Sequence, residues 1–157
     1  MNRSDHGEHV MTTTRVMLDP AIQWAESCDR DSITTGGLMS YVDGFVVPVP
    51  IKNLAAYRRM ARKCGKVWRE HGAIDYNECV ADDVKPGKRT SFPQSVKLKA
   101  GETVVFSWIV YKSRAHRDRV NAKAMVDPRL ADMMDAKKMP FDGKRMFWGG
   151  FKVFVSA

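Results

Sequence analysis

Thr103-Val104-Val105-Phe106-Ser107-Trp108-Ile109-Val110-Tyr111 decides the fold. Nine residues rich in Val, Ile and aromatics, entered through Ala100-Gly101-Glu102, read as a β-strand. Side chains on a strand alternate between its two faces. Val104, Phe106, Trp108 and Val110 share one face, and Val105, Ile109 and Tyr111 share the other. Both faces of this strand are therefore apolar.

The neighbouring segments give the strand its setting. Downstream, Ser113 is a good N-cap for a helix running to about Met125. Asp127-Pro128 breaks that helix and caps a second helical piece, with Leu130, Met133, Met134 and Lys137 on one side. Asp142-Gly143 is a turn into a last strand over Arg145–Val155. Upstream, Tyr41–Val49 is a Val- and Phe-rich strand closed by Pro48 and Pro50, which lack the donor a ladder needs. In Lys52–His71, the residues Leu54, Tyr57, Ala61, Cys64 and Trp68 recur at three and four, one helical stripe, with Gly72 as its stop. Ala73–Ala81 reads as a strand. Residues 82–102 are a long connection with a turn at Lys85-Pro86-Gly87-Lys88 and a short edge strand where Val96 and Leu98 alternate with Lys97 and Lys99.

The order is β-α-β-insert-β-α-β. It predicts an α+β chain: a ferredoxin-like sandwich with an antiparallel sheet and helices on one face. Two helices cover one face only, yet the strand at 103–111 is apolar on both. The last strand is too, with Met146, Trp148 and Phe154 opposing Phe147, Phe151, Val153 and Val155. A homodimer packed sheet against sheet is the expected cover. The alternative cover is residues 82–102 together with the N-terminal arm.

Several segments carry a family resemblance: Tyr41-Val42-Asp43-Gly44-Phe45, Phe106-Ser107-Trp108-Ile109, Ser113-Arg114 with Arg117-Asp118, Asn121-Ala122-Lys123, Asp127-Pro128-Arg129, and Phe141-Asp142 with Arg145-Met146 and Gly149-Gly150-Phe151. In this order they resemble the YbaA-like family of uncharacterised bacterial proteins. The resemblance covers Met39 to Val155. It implies a dimeric α/β barrel related to small cofactor-free monooxygenases and other small-molecule-binding dimers. It implies no established activity and no assigned catalytic residue.

Composition bounds the function. The chain has 157 residues and 44% hydrophobic content, too apolar for a disordered protein, and no apolar run long enough to span a membrane. Its net charge of +8 is uneven. Residues 1–38 hold three basic and six acidic residues, leaving 23 basic and 12 acidic in the rest. Residues 1–38 read as a disordered extension, or as lying upstream of a translation start at Met39. A single domain over 39–157 carries the fold. Cys28, Cys64 and Cys79 form no CxxC pair, and no secretory signal opens the chain, so the expected compartment is the cytoplasm.

Candidate chemistry is sparse. Asp43 sits inside an apolar strand, so it must be paired, exposed at a strand end or functional. The plainer reading is an ion pair with Arg114, Arg117 or Arg145. The functional reading is a ligand anchor or a base. Asp75, Asn77 and Glu78 raise the same question less sharply, on a strand that reads as an edge. His116 is the other candidate proton carrier, against the plainer role of a surface group; His71 fits a helix C-terminus. Tyr41, Trp68, Trp108, Arg117, Asn121 and Trp148 are candidate ligand-binding residues, against a plainer role in packing and ion pairs. No metal-ligand spacing, Walker loop, GxGxxG or GxSxG is present, so no metal and no cofactor is expected. Gly149-Gly150 reads as a bulge or a close backbone approach.

Two functions fit these residues. One is a cytoplasmic homodimer that binds, or transforms, a small molecule between sheet and helices, with an anionic ligand among the options. The other is an RNA- or acidic-macromolecule-binding protein acting through Lys85, Lys88 and Arg89. Whether the chain is an enzyme stays open at this point.

Overall fold

The computed structural model describes residues 40–133 and 138–156. The expectations for 1–38, and for Met134 and Lys137, lie outside the described residues. The elements are β1 (Tyr41–Pro50), α1 (Leu54–Glu70), β2 (Asp75–Val80), a one-turn α2 (Phe92–Ser95), β3 (Glu102–Tyr111), α3 (Arg114–Ala124) and β4 (Phe147–Lys152). Short 3-10 turns occupy Ile51–Asn53, Pro128–Met133 and Gly143–Arg145.

The sheet order is β2-β3-β1-β4, with every neighbouring pair antiparallel. The architecture is thus α+β, a four-stranded antiparallel sheet with helices. β1 and β2 run the same way with β3 between them, joined through α1. β3 and β4 run the same way with β1 between them, joined through α3.

Pro48 lies within β1 and Pro50 is its last residue; they pair with Val104 and Glu102 of β3. β4 reaches only to Val46, so β1 has an open side beyond that point. A residue without a donor is tolerated there.

α1 forms as its stripe predicts. Tyr57, Ala61, Cys64 and Val67 are buried, while Arg58, Arg59, Arg62, Lys63, Lys66 and Arg69 stay exposed. Tyr57 and Ala61 pack on Val47, Val49 and Val105. Gly72 follows the helix at φ +115°, a conformation that favours glycine. Ser113 caps α3 by accepting from the His116 amide at 3.2 Å. Val120 of α3 packs with Ile109 and Tyr111. Both helices therefore cover the face of Asp43, Phe45, Val47, Ile109 and Tyr111.

The connection between β2 and β3 departs from the expected edge strand. Val96–Lys99 is no strand; α2 precedes it, and Lys97 takes φ 48°. Ser91-Phe92-Pro93-Gln94 explains the difference. The Ser91 hydroxyl accepts from the Gln94 amide at 3.3 Å and donates to the Gln94 side chain at 2.8 Å, while Pro93 suits a first turn. This turn drives Val96 under the sheet, against Val46 and Val104 on the face opposite α1. The connection thus covers one end of that face. Phe92 of the connection packs against Phe106 at 5.8 Å, yet Phe106, Phe147 and Phe151 stay largely exposed.

Two arginines fasten the rim. Arg145 donates to both oxygens of Glu102, at 2.7 and 2.6 Å, and to Asp142 at 2.9 Å, tying the start of β3 to the turn before β4. Arg145 holds the Glu102 carboxyl below the usual range. Arg129 pairs with Glu70 and Asp127, and His71 meets Asp127 at 2.9 Å. These contacts join the end of α1 to the loop after α3. Arg129 first, then His71, hold the Asp127 carboxyl well below its ordinary value.

Candidate functional site

A cavity of about 470 Å³ lies between the sheet and the helices. Such a volume falls within the roughly 300–1,000 Å³ range of small-molecule sites. Its floor comes from inward-facing strand residues, including Asp43, Phe45, Ser107 and Ile109. α1 and the segment before β4 supply Met60, Trp68, Met139, Phe141 and Met146. Most of the wall is apolar, and the polar groups gather at two ends.

Asp43 marks the first end. It is 1% exposed, because β1 places it on the helix side opposite Ile109. The Arg117 Nε–H is shared by both Asp43 oxygens at 2.9 Å each. The Asn121 amide donates to Oδ2 at 3.2 Å. Arg117 and Asn121 lie four apart on α3, hence on one side of that helix. The Asn121 oxygen accepts from the Trp68 indole N–H and from the Tyr111 hydroxyl, both at 2.9 Å. Two donors on that oxygen fix which way the amide points. Arg117 also donates to Asp118 at 2.8 Å and lies over the rings of Tyr41 and Trp148, at 5.6 and 5.8 Å. The Asp43 carboxylate holds the Arg117 guanidinium firmly charged. Burial and the Asp43 charge keep the Tyr111 hydroxyl protonated, raised far above its ordinary range.

Glu78 marks the second end. β2 pairs Glu78 with Ser107, which pairs in turn with Phe45, so all three face the helices. The Tyr57 and Tyr76 hydroxyls donate to the two Glu78 oxygens at 2.8 Å each. The Ser107 hydroxyl, on the strand residue paired with Glu78, favours the ionised form of that carboxyl. Glu78 forms no ion pair among the described residues. Burial raises its carboxyl above the ordinary value, and the three hydroxyls offset that only in part. Burial also keeps both tyrosines protonated, and pushes the Cys64 thiol up to about 11, so it is a poor thiolate nucleophile. Close packing holds this end: a Cβ on Gly65 would stand 2.9 Å from the Tyr76 ring.

The expected site residues divide. Asp43, Trp68, Asn121 and Trp148 line the cavity. Arg117 and Tyr41 stand beside it, through Asp43 and the guanidinium stack. Gly150 makes room there, since a Cβ would run into the Tyr41 hydroxyl. This is the close backbone approach expected of the glycine pair. Trp108 lies on the opposite face, opposite Gly44 and near Phe106. His116 is held outside the cavity lining. Its Nδ1 accepts from the Lys112 amide at 3.2 Å, and burial, then Lys112 and Arg119, lowers its pKa. Lys85, Lys88 and Arg89 are exposed in the connection after β2, with Lys85 3.7 Å from Asp83.

Sequence reasoning gave Glu78 little weight and passed over its partners Tyr57, Tyr76 and Ser107. The available signal was the alternation Tyr76, Glu78, Val80, which puts an acid on the same face as its apolar neighbours.

Comparison with known proteins now bears on this site. A family model described as a protein of unknown function (DUF1428) matches residues 40–143. The chain belongs to this family. Proteins named "Uncharacterized protein YbaA" from Escherichia coli strain K12 and from Shigella flexneri are each 50% identical to it over 117 residues, 74% of this chain and 98% of theirs. Both ends of the cavity, Asp43 with Arg117 and Asn121 and Glu78 with its tyrosines, fall inside the DUF1428 match. Among solved structures, a de novo designed protein, Foldit4, aligns at TM-score 0.37 and 11% identity over 72% of this chain and 94% of its own. A putative amidohydrolase/peptidase from Burkholderia cenocepacia aligns at TM-score 0.27 and 12% identity over 73% and 27%. Likeness that low carries no argument. Among the described residues, no helix is long and apolar enough to cross a membrane, and no group of three metal-ligating side chains comes together.

Proposed function

We propose that this DUF1428 protein binds a small molecule in the cavity between its sheet and helices. The observation that supports this reading is the cavity itself: apolar walls around 470 Å³ with polar groups converging at two ends. An interior built only for stability would fill such a space, since close packing is the rule in cores. We further read the strand order and crossovers as ferredoxin-like, and the chain as a cytoplasmic homodimer joined through its exposed sheet face. Phe106, Phe147 and Phe151 support that pairing.

The test is thermal stability against fractions of a bacterial small-molecule extract. At least one fraction raises the unfolding midpoint of the wild type and fails to raise that of Met146→Trp, which fills the cavity from a half-buried position. If no fraction acts on the wild type, the reading is wrong.

A second reading has one observation behind it. An open groove of about 930 Å³ runs between α1 and β2, with Arg58, Arg62, Lys66 and Arg69 along it. A row of cations beside an edge strand suits RNA or another acidic macromolecule. Binding there weakens as salt rises, and neutralising Arg58 and Arg62 weakens it more than neutralising Lys85, Lys88 and Arg89. Salt-independent binding contradicts this reading.

A further inference from the structure

We propose that the cavity selects an organic cation, an amine on an aromatic or aliphatic body, and that Glu78 is the residue that receives its ammonium group. This inference rests on the small-molecule reading above and adds the charge class of the ligand.

The first argument is the charge balance of the walls. Among the described residues, Asp43 and Glu78 are the carboxyl groups lining the cavity, and no lysine or arginine lines it. Arg117 stands beside Asp43 among the described residues, and it is committed to Asp43, with a further bond to Asp118. With Asp43 paired to Arg117, an entering anion meets no uncommitted cation among the described lining residues, and its desolvation goes uncompensated. An entering cation meets Glu78.

The second argument is the coordination of Glu78. An ionised carboxylate offers about four lone-pair sites. The Tyr57 and Tyr76 hydroxyls occupy two, and Ser107 lies beside Glu78 on the paired strand. Acceptor capacity remains for a donor from the cavity. Each bond is to a neutral hydroxyl, and although Glu78 also borders the groove of Arg58 and Arg62, it forms no ion pair among the described residues. A half-buried carboxyl without a counter-ion still costs free energy to keep ionised. A ligand ammonium would supply the missing partner.

The third argument is the wall chemistry. Trp68, Phe45 and Phe141 present rings, and Met60, Met139 and Met146 present polarisable thioethers. Ring faces attract organic cations, and methionines adapt to irregular apolar shapes. Asp43 on β1 and Glu78 on β2 are separated by β3 and one side-chain repeat, about 12 Å along the sheet. The body of the ligand would lie between them.

The experiment uses the full chain labelled with 13C at the methionine methyl groups. Met60, Met125, Met139 and Met146 line the cavity and report occupancy. Three probes of similar shape are titrated: benzylamine, benzyl alcohol and benzoate. Benzylamine should shift these methyl signals with an affinity about tenfold above that of benzoate. Glu78→Gln should lower the benzylamine affinity about tenfold and leave that of benzyl alcohol unchanged. Benzoate binding as tightly as benzylamine, or benzylamine binding that ignores Glu78→Gln, overturns the amine inference while leaving the cavity reading intact. If none of the three moves the cavity methyls, the cavity reading falls and this inference with it. Should Glu78→Gln fail to fold, the wild-type preference between benzylamine and benzoate decides alone.

Discussion

Asp43 and Glu78 are both carboxylates on strands facing the helices, yet their surroundings give them opposite characters. Asp43 is enclosed by a guanidinium and an amide, and its partner Arg117 still reaches Asp118. Removing Arg117 leaves a buried charge with no counter-ion, so Arg117→Ala should lose about 3–5 kcal/mol of stability. Asp43→Asn should lose less, because the guanidinium keeps Asp118 and some contact with water. Urea unfolding of the two variants checks the order; equal losses contradict it. Glu78 titrates in the other direction. Burial raises its folded value, so the folded chain holds that proton where the unfolded chain has lost it. Wild-type stability should therefore fall, relative to Glu78→Gln, as pH climbs from about 4 through the raised value. Glu102 and Asp142, held low by Arg145, push the opposite way in both proteins and cancel in the difference. Unfolding curves between about pH 4 and 8 test this; a difference that does not change with pH contradicts it. At this scale the sequence was half readable. An acid among apolar strand residues flagged Asp43, and the arginine that pairs with it was among the three named. Glu78 was harder to see, because its donor Tyr57 lies on α1 and only the fold brings the two together.

α1 was legible at the scale of the element because periodicity is a local property. Its stripe of Leu54, Tyr57, Ala61, Cys64 and Trp68 faces inward as spaced. The segment at Val96–Lys99 misled, because alternation over four residues is weak evidence against a capped turn at Ser91. Gly65 shows what a local reading cannot see. Glycine inside an exposed helix costs about 1 kcal/mol against alanine, so Gly65→Ala should ordinarily stabilise. Here the added Cβ would press on the Tyr76 ring, which Glu78 holds by its hydroxyl. Gly65→Ala should instead destabilise, by about 1–2 kcal/mol. In a Tyr76→Ala background the same change should become stabilising. Thermal unfolding of the four proteins in that cycle gives the answer, and a stabilising Gly65→Ala in the wild type contradicts the packing argument.

For the whole molecule, two faces of one sheet have different fates. Strand parity made both faces apolar in the sequence, and the α2 connection covers part of the second one through Val96. Phe106 meets Phe92 of that connection but stays largely exposed, as do Phe147 and Phe151. Light scattering should give a mass of two chains, and Phe147→Asp with Phe151→Asp should give one chain that stays folded. A wild-type monomer contradicts the dimer. What the sequence could not convey was the cavity, because an unfilled volume is a property of packing and has no local signature. The central claim is that this volume holds a small molecule, and native mass spectrometry after equilibration with a bacterial small-molecule extract tests it most directly. The account predicts a discrete added mass on the wild-type protein that is absent from Met146→Trp. Bare protein alone, or an added mass that persists when the cavity is filled, would contradict it.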